Sequence, residues 1–181
     1  MTRTQTTRVV VTMTIVAVAV AATFVAEPAA LAAVAPAASA FDRFKGLEGS
    51  WIDLDGTFGV KGEVAATYRL TGNGSALIET LFLGSPHEMT TVYHRDGNDI
   101  VLTHYCAGGN QPRMRAKAAS GSVVAFEFDG GTNVDPAKDD HMHSARFDFV
   151  AADEIRGEWN AWAGGKPNPE HSPRFHLGRK K

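Results

Sequence analysis

The sequence has a single cysteine, Cys106, so an intramolecular disulfide is impossible. Neither charge sign is in surplus: 18 Lys and Arg stand against 20 Asp and Glu, a net charge of −2. A general nucleic-acid binder carries a basic excess, and that class is excluded. Beyond residue 40 no long segment shows an apolar stripe of helical period, which excludes a bundle or a coiled coil. No phosphate-cradling Gly-rich loop, Gly-x-Ser-x-Gly elbow or His-Glu-x-x-His pair occurs. At 44% hydrophobic and 21% charged residues, the chain is neither disordered nor collagenous.

The first 40 residues stand apart. Arg3 and Arg8 are the only basic residues there, and Glu27 is the only acid. Val9 to Ala26 is an apolar run rich in Val and Ala, and a second Ala-rich run ends in Ala38-Ser39-Ala40. That ending fits the small-x-small pattern of a signal-peptidase site, so residues 1–40 read as a helical export signal. The apolar run is close to the ~20 residues a bilayer span needs, so an uncleaved membrane anchor is the alternative. No Cys follows the run, which excludes lipid attachment after cleavage. Residues 41–181 then form a single exported domain, periplasmic or extracellular.

From Phe41 onward the apolar period is 2. Val124, Phe126 and Phe128 share one face of a strand, as do Ala145, Phe147 and Phe149 of another. Pattern and turn residues give about ten strands: 50–55, 62–70, 76–83, 88–95, 99–106, 113–119, 122–129, 141–150, 154–163 and 173–179. A short helical turn over Phe41–Leu47 precedes them. Sequential strands joined by hairpins predict an all-β, antiparallel up-and-down barrel, since closure removes both exposed edges. A sandwich is the alternative. If successive strands are antiparallel, the tight turns at 71–75, 96–98, 120–121 and 151–153 lie at one end. The longer loops 56–61, 84–87, 107–112, 130–140 and 164–172 lie at the other, the expected mouth of a ligand cavity.

Five histidines fall at that end: His87 and His171 in loops, His104 near a strand end, His141 and His143 at a strand start. By alternation His104 joins Ile100 and Leu102, while His143 joins Ala145 and Phe147, so both are expected to point inward. Residues i and i+2 on a strand lie roughly 6–7 Å apart, which lets two imidazoles grip one ion. His104, His141 and His143 are therefore candidate zinc ligands. They are also candidates for contact with an organic ligand, or for histidines tied to loop carbonyls. Gln111, Met114 and Trp162 complete the candidate ligand-binding set. The loop Gly108-Gly109-Asn110-Gln111-Pro112 either orients a ligand or is locked by its own amide hydrogen bonds. Cys106 lies near His104, but no orienting third residue for a nucleophile is evident. Glu79 is a buried carboxylate if Leu77 and Leu81 point inward.

The segments Leu47-Glu48-Gly49-Ser50-Trp51, Thr103-His104-Tyr105-Cys106, Gly109-Asn110-Gln111-Pro112-Arg113-Met114 and His141-Met142-His143 resemble a group of exported bacterial proteins of unknown function. That group is similar in architecture to the lipocalin-like (calycin) barrels, over roughly Phe41 to Arg179. The resemblance implies a barrel of ten or so strands and small-ligand binding, and it implies no reaction. In the haem-binding nitrobindin-like calycins the haem hangs from a histidine near the C-terminus. Here the strand histidine in that region is His176, which alternates against Phe175 and Leu177 and is expected to face outward. The expectation is thus an exported barrel binding a small, largely apolar ligand in a His-lined mouth. The alternatives are a zinc or haem protein, or a structural, partner-binding domain of the envelope.

Overall fold

The computed structural model describes residues 34–181. Most of the expected export signal therefore lies outside the described residues. The elements in chain order are β1 (Val34–Pro36), α1 (Ala37–Lys45), β2 (Gly49–Asp53), β3 (Val64–Thr71), β4 (Ala76–Leu81), β5 (Met89–Asp96) and β6 (Asp99–Tyr105). They continue with β7 (Gln111–Ala116), β8 (Ala118–Ser120), β9 (Val123–Thr132), β10 (His141–Ala151), β11 (Glu154–Ala163), β12 (Lys166–Asn168), a 3-10 turn (Pro169–His171) and β13 (Arg174–Arg179). The helix α1 spans the boundary at Ala40 suggested by the small-x-small pattern. No helix among the described residues is long and apolar enough to cross a membrane.

Ten strands close a ring in the order β2-β3-β4-β5-β6-β7-β9-β10-β11-β13, with β13 paired back to β2. Every pairing around the ring is antiparallel, so the architecture is a closed barrel compatible with a calycin-like fold. The alternation read from sequence decides which side chains enter it. On β4, Leu77, Glu79 and Leu81 are buried, and on β9 Val124 and Phe126 are buried. The opposite face carries the charges. Arg115 on β7 points outward, where it pairs with Asp96, Asp99 and Asp129 at 3.0 Å each.

The short turns and the long loops segregate as the spacing predicts. α1 lies at the short-turn end, and its Phe44 ring meets Tyr93, Phe126, Phe147 and Phe149 within 5.0–5.7 Å. Phe41, Phe44 and Leu47 are buried, so the helix plugs that end with apolar surface. Arg179 locks the seam beside it. Its guanidinium lies 4.6 Å from the Trp51 ring and donates to the carbonyls of Gly46, Glu48 and Ala152. Trp51 in turn donates its indole N–H to Leu47 O at 2.7 Å. The strands β2 and β13 and the turn after α1 are thereby tied at one point.

Two details depart from the sequence reading. The expected strand 76–83 ends at Leu81, because Phe82 adopts φ +56° and turns the chain. The expected strand 113–119 divides into β7 and β8, the latter pairing with β1 and β9.

The plug has a measurable worth. Phe44→Ala removes a fully buried ring from four aromatic contacts, and large-to-small changes of this kind cost about 3–5 kcal/mol. The urea midpoint of the variant is expected to fall accordingly with the m-value unchanged, measured by far-UV circular dichroism.

Candidate functional site

A polar row crosses the apolar lumen. Tyr68 on β3 faces Glu79 on β4, Glu79 faces Thr91 on β5, and Thr91 faces His104 on β6, each in direct cross-strand register. All four are buried. Tyr68 donates its hydroxyl to one Glu79 oxygen at 2.6 Å, and Tyr93 donates to the other at 2.8 Å. Burial pushes the Glu79 carboxyl above the ordinary carboxylate range, while the hydroxyls of Tyr68, Tyr93 and Thr91 oppose the shift. Burial, with Glu79 beside them, holds both tyrosine hydroxyls well above their ordinary range, so they stay protonated.

At the end of the row, His104 Nδ1 and Thr91 Oγ1 are 2.9 Å apart in a hydrogen bond. His104 is 2% exposed, and its ring centre lies 5.0 Å from that of Trp159. Its other ring nitrogen, Nε2, is buried with no hydrogen-bond partner. His104 lines a cavity of about 100 Å³ bounded otherwise by Phe58, Leu81, Phe82, Met89, Met142, Trp159 and Pro173. These residues come from the long-loop end of the barrel. The apolar surroundings disfavour the imidazolium, and the pKa is pushed down to about 4.

Phe58 and Phe82 form the outer wall, edge to face at 5.3 Å. Phe58 also stacks on Phe175 at 5.7 Å. Phe175 fits there because its cross-strand partner is Gly157, where an added methyl would collide with the ring and with Arg146 O. The loop carrying Phe58 is anchored by the buried Asp53, whose carboxylate accepts the backbone N–H groups of Gly56 and Phe58 at 2.9 and 3.0 Å.

The other candidate residues form a separate group. The register of β10 on β11 pairs His141 with Trp162 and Met142 with Ala161, then skips His143 before Ser144 meets Asn160. This bulge breaks the alternation on which the inward reading of His143 rests. Met142, rather than His143, lines the cavity. His141 Nε2 and His143 Nδ1 are hydrogen-bonded to each other at 3.0 Å, and His141 Nδ1 bonds Asp139 O at 2.8 Å. The His143 ring lies flat between Trp162, at 3.8 Å, and Phe128, at 4.9 Å. Burial, with His141 next to it, lowers the His143 pKa. Among the described residues no group of three or more His, Cys, Asp or Glu is arranged to hold a metal ion. Gln111 binds its own loops, donating to Gly109 O and accepting from Thr132 and Asn133. Cys106 N donates to Asn110 O, and Asn110 donates its amide to Asp140 O, so the Gly-rich loop is tied down internally. Met114 is fully buried in the core. His176 bonds Glu154 at 2.9 Å on the outer side of β13.

Phe58, Phe82, Met89, Met142 and Thr91 were not among the sequence candidates. Phe82 lies in the run Phe82-Leu83-Gly84-Ser85-Pro86, whose turn residues are the available signal that the strand ends early. No protein-family model and no curated protein matches the chain.

The depressed His104 pKa couples to stability. Unfolded, the imidazole titrates near 6.5; folded, it titrates at about 4. Between those values the unfolded chain holds the extra proton, so stability falls as pH drops through this window. The loss attributable to His104 approaches ~3 kcal/mol. Glu79 acts with opposite sign, since its raised pKa makes the folded state the better proton binder at low pH. Comparison with His104→Leu isolates the first effect. The stability difference, wild type minus variant, is expected to fall by about 3 kcal/mol between pH 7 and pH 4 in urea titrations, and a flat difference would contradict it.

Proposed function

We propose that this chain is an exported binding protein whose barrel holds a small, largely apolar molecule in the cavity at His104. The observation that carries this reading is the buried, unpartnered Nε2 of His104, a residue that lines an otherwise largely apolar cavity. A buried polar atom without a partner costs about 1–3 kcal/mol, a cost that a ligand bearing one polar group removes. Binding sites of this class are mostly apolar with a few placed polar groups. A dry apolar cavity of about 150 Å³ accepts benzene, so a space of about 100 Å³ suits a single small ring or short chain. It does not suit a macrocycle such as haem.

Access lies between Phe58 and Phe82. The same two rings also line an open groove of about 440 Å³ with Val60, Val64, Leu83 and His87. Leu83 is 68% exposed there, an apolar side chain at the approach to the cavity. Rotation of the two rings joins groove and cavity without movement of the barrel wall. The apolar, Ala-rich N-terminus supports export, with the periplasm or the extracellular space as the working compartment.

The test uses benzene, toluene and phenol as probes. At ligand tenfold above Kd, binding to the folded state adds about 1.4 kcal/mol, a Tm rise of roughly 3–6 °C. Emission from Trp159 is expected to change along the same isotherm. Leu81→Trp, which fills the cavity, is expected to abolish both responses while remaining folded by circular dichroism. Absence of a saturable response to every probe would overturn the proposal.

A further inference from the structure

The cavity at His104 and the open groove beside it share two walls and differ in charge. Phe58 and Phe82 line both, the cavity of about 100 Å³ on one side and the groove of about 440 Å³ on the other. No carboxylate, Lys or Arg lines the cavity, so an ionic group enters it only at a large desolvation cost. The groove is lined by the carboxylate of Glu63 among Val60, Val64 and Leu83. Glu63 is exposed, and the ion pairs among the described residues do not include it. Lys61, the cation nearest to it in sequence, lays its stem beside Gly56, which is not a groove residue; a methyl built on Gly56 would stand 3.3–3.8 Å from three of its carbons. A second carboxylate, Glu88, is held on the loop that carries Leu83, where it accepts the N–H of Gly84 at 2.6 Å. The groove is thus an apolar trough of negative charge, with no Lys or Arg in its lining.

We propose that cavity and groove are two subsites for one molecule, a small ring bearing a neutral polar group and joined by a short linker to an ammonium group, with the ring in the cavity at His104 and the ammonium in the groove against Glu63. This rests on the binding reading above and extends it to the class of ligand. A hydroxyl suits the inner end, because it donates or accepts at His104 Nε2 and can also accept from the indole N–H of Trp159, which lines the same cavity. The linker passes between Phe58 and Phe82, whose ring centres stand 5.3 Å apart edge to face. An ammonium emerging there meets the Glu63 carboxylate, and aromatic faces attract a cation in their own right. A carboxylate on the same linker meets like charge instead. Charge therefore sets the order of entry, with the uncharged end inside and the cationic end at the surface.

Three probes share one ring: phenol, tyramine (phenol with an aminoethyl arm at the para position) and the para-hydroxyphenylpropionate anion. In calorimetric titrations the wild-type protein is expected to bind tyramine about three- to tenfold more tightly than phenol, the range open to one exposed ion pair with a cation–π contact. The anion is expected to bind more weakly than phenol. Molar salt is expected to shrink the tyramine advantage and leave phenol nearly unmoved, because only the outer contact is ionic. Glu63→Gln is expected to bring tyramine close to phenol without changing phenol itself, and Glu63→Lys to place the anion ahead of tyramine. A merely structural role for Glu63 would move phenol and tyramine together. Leu81→Trp, which fills the cavity, is expected to abolish tyramine binding, and tyramine binding that survives there would overturn the two-subsite arrangement. Equal affinity for tyramine and phenol in the wild type, or a tyramine preference that persists in Glu63→Gln, would overturn the ammonium subsite and leave the cavity reading standing. Failure of both phenol and tyramine to bind would overturn both readings together.

Discussion

Inside a closed antiparallel barrel the walls use their own backbone donors and acceptors, so an inward polar side chain must find its partner within the same lumen. This constraint orders everything else in the interior. Two tyrosines, a glutamate, a threonine and a histidine point inward among Trp51, Phe126, Phe147, Leu77 and Leu102. They lower the cost of burial by hydrogen-bonding one another across the strands: Tyr68 and Tyr93 donate to Glu79, and Thr91 bonds His104. A row of this kind has two ends. At one end Tyr68 leans on Trp51 at 6.3 Å. At the other, the histidine has a second nitrogen and the row has no further member to meet it.

The two mouths of the barrel divide stability from access. At the short-turn end, α1 and the turn after it fill the opening with Phe41, Phe44 and Leu47, and Arg179 ties that turn, β2 and the last strand together. With no disulfide available, this apolar plug and its arginine clamp hold the seam that a crosslink would otherwise secure. At the long-loop end the cover is lighter. Phe58 and Phe82 meet edge to face, and Phe82 sits in the left-handed region at a cost of about 1–2 kcal/mol for an L-residue. That strain is retained where the chain leaves β4 and drops an aromatic ring over the cavity. Backbone anchors at Asp53 fix where Phe58 starts, and its ring rests on Phe82 and Phe175.

Much of the wall was legible from period-2 alternation and turn chemistry, because a half-buried strand writes its burial directly into sequence. All ten ring strands are found, while parity left the facing of Glu79 open and the structure buries it beside Leu77 and Leu81. The loop asymmetry was equally legible, since antiparallel neighbours force alternate connections to opposite ends. The cavity was legible in one residue, His104. Its apolar lining comes from positions where alternation fails: Phe58 in a loop, Phe82 beyond a strand end at positive φ, and Met142 beside a bulge. A bulge inserts one residue and exchanges the faces on either side of it. No local composition marks the His141–Met142–His143 bulge, so parity carried across it misses Met142 as a residue of the cavity.

The same bulge separates two imidazole environments that look alike in sequence. His143 lies between two aromatic planes, and its Nδ1 meets His141 Nε2, so the adjacent nitrogens of that pair satisfy each other. His104 meets a hydroxyl on one side and hydrocarbon on the other. Binding capacity follows from what the neighbours leave undone rather than from residue type or spacing. A histidine whose nitrogens are both engaged, as His141 is, is a packing element with polar edges. A histidine held by one nitrogen beside a largely apolar cavity keeps the other available, and the low dielectric around it strengthens whatever hydrogen bond arrives. The polar row, costly to bury and otherwise needless for closing a barrel, makes physical sense as the support that holds that one nitrogen in place.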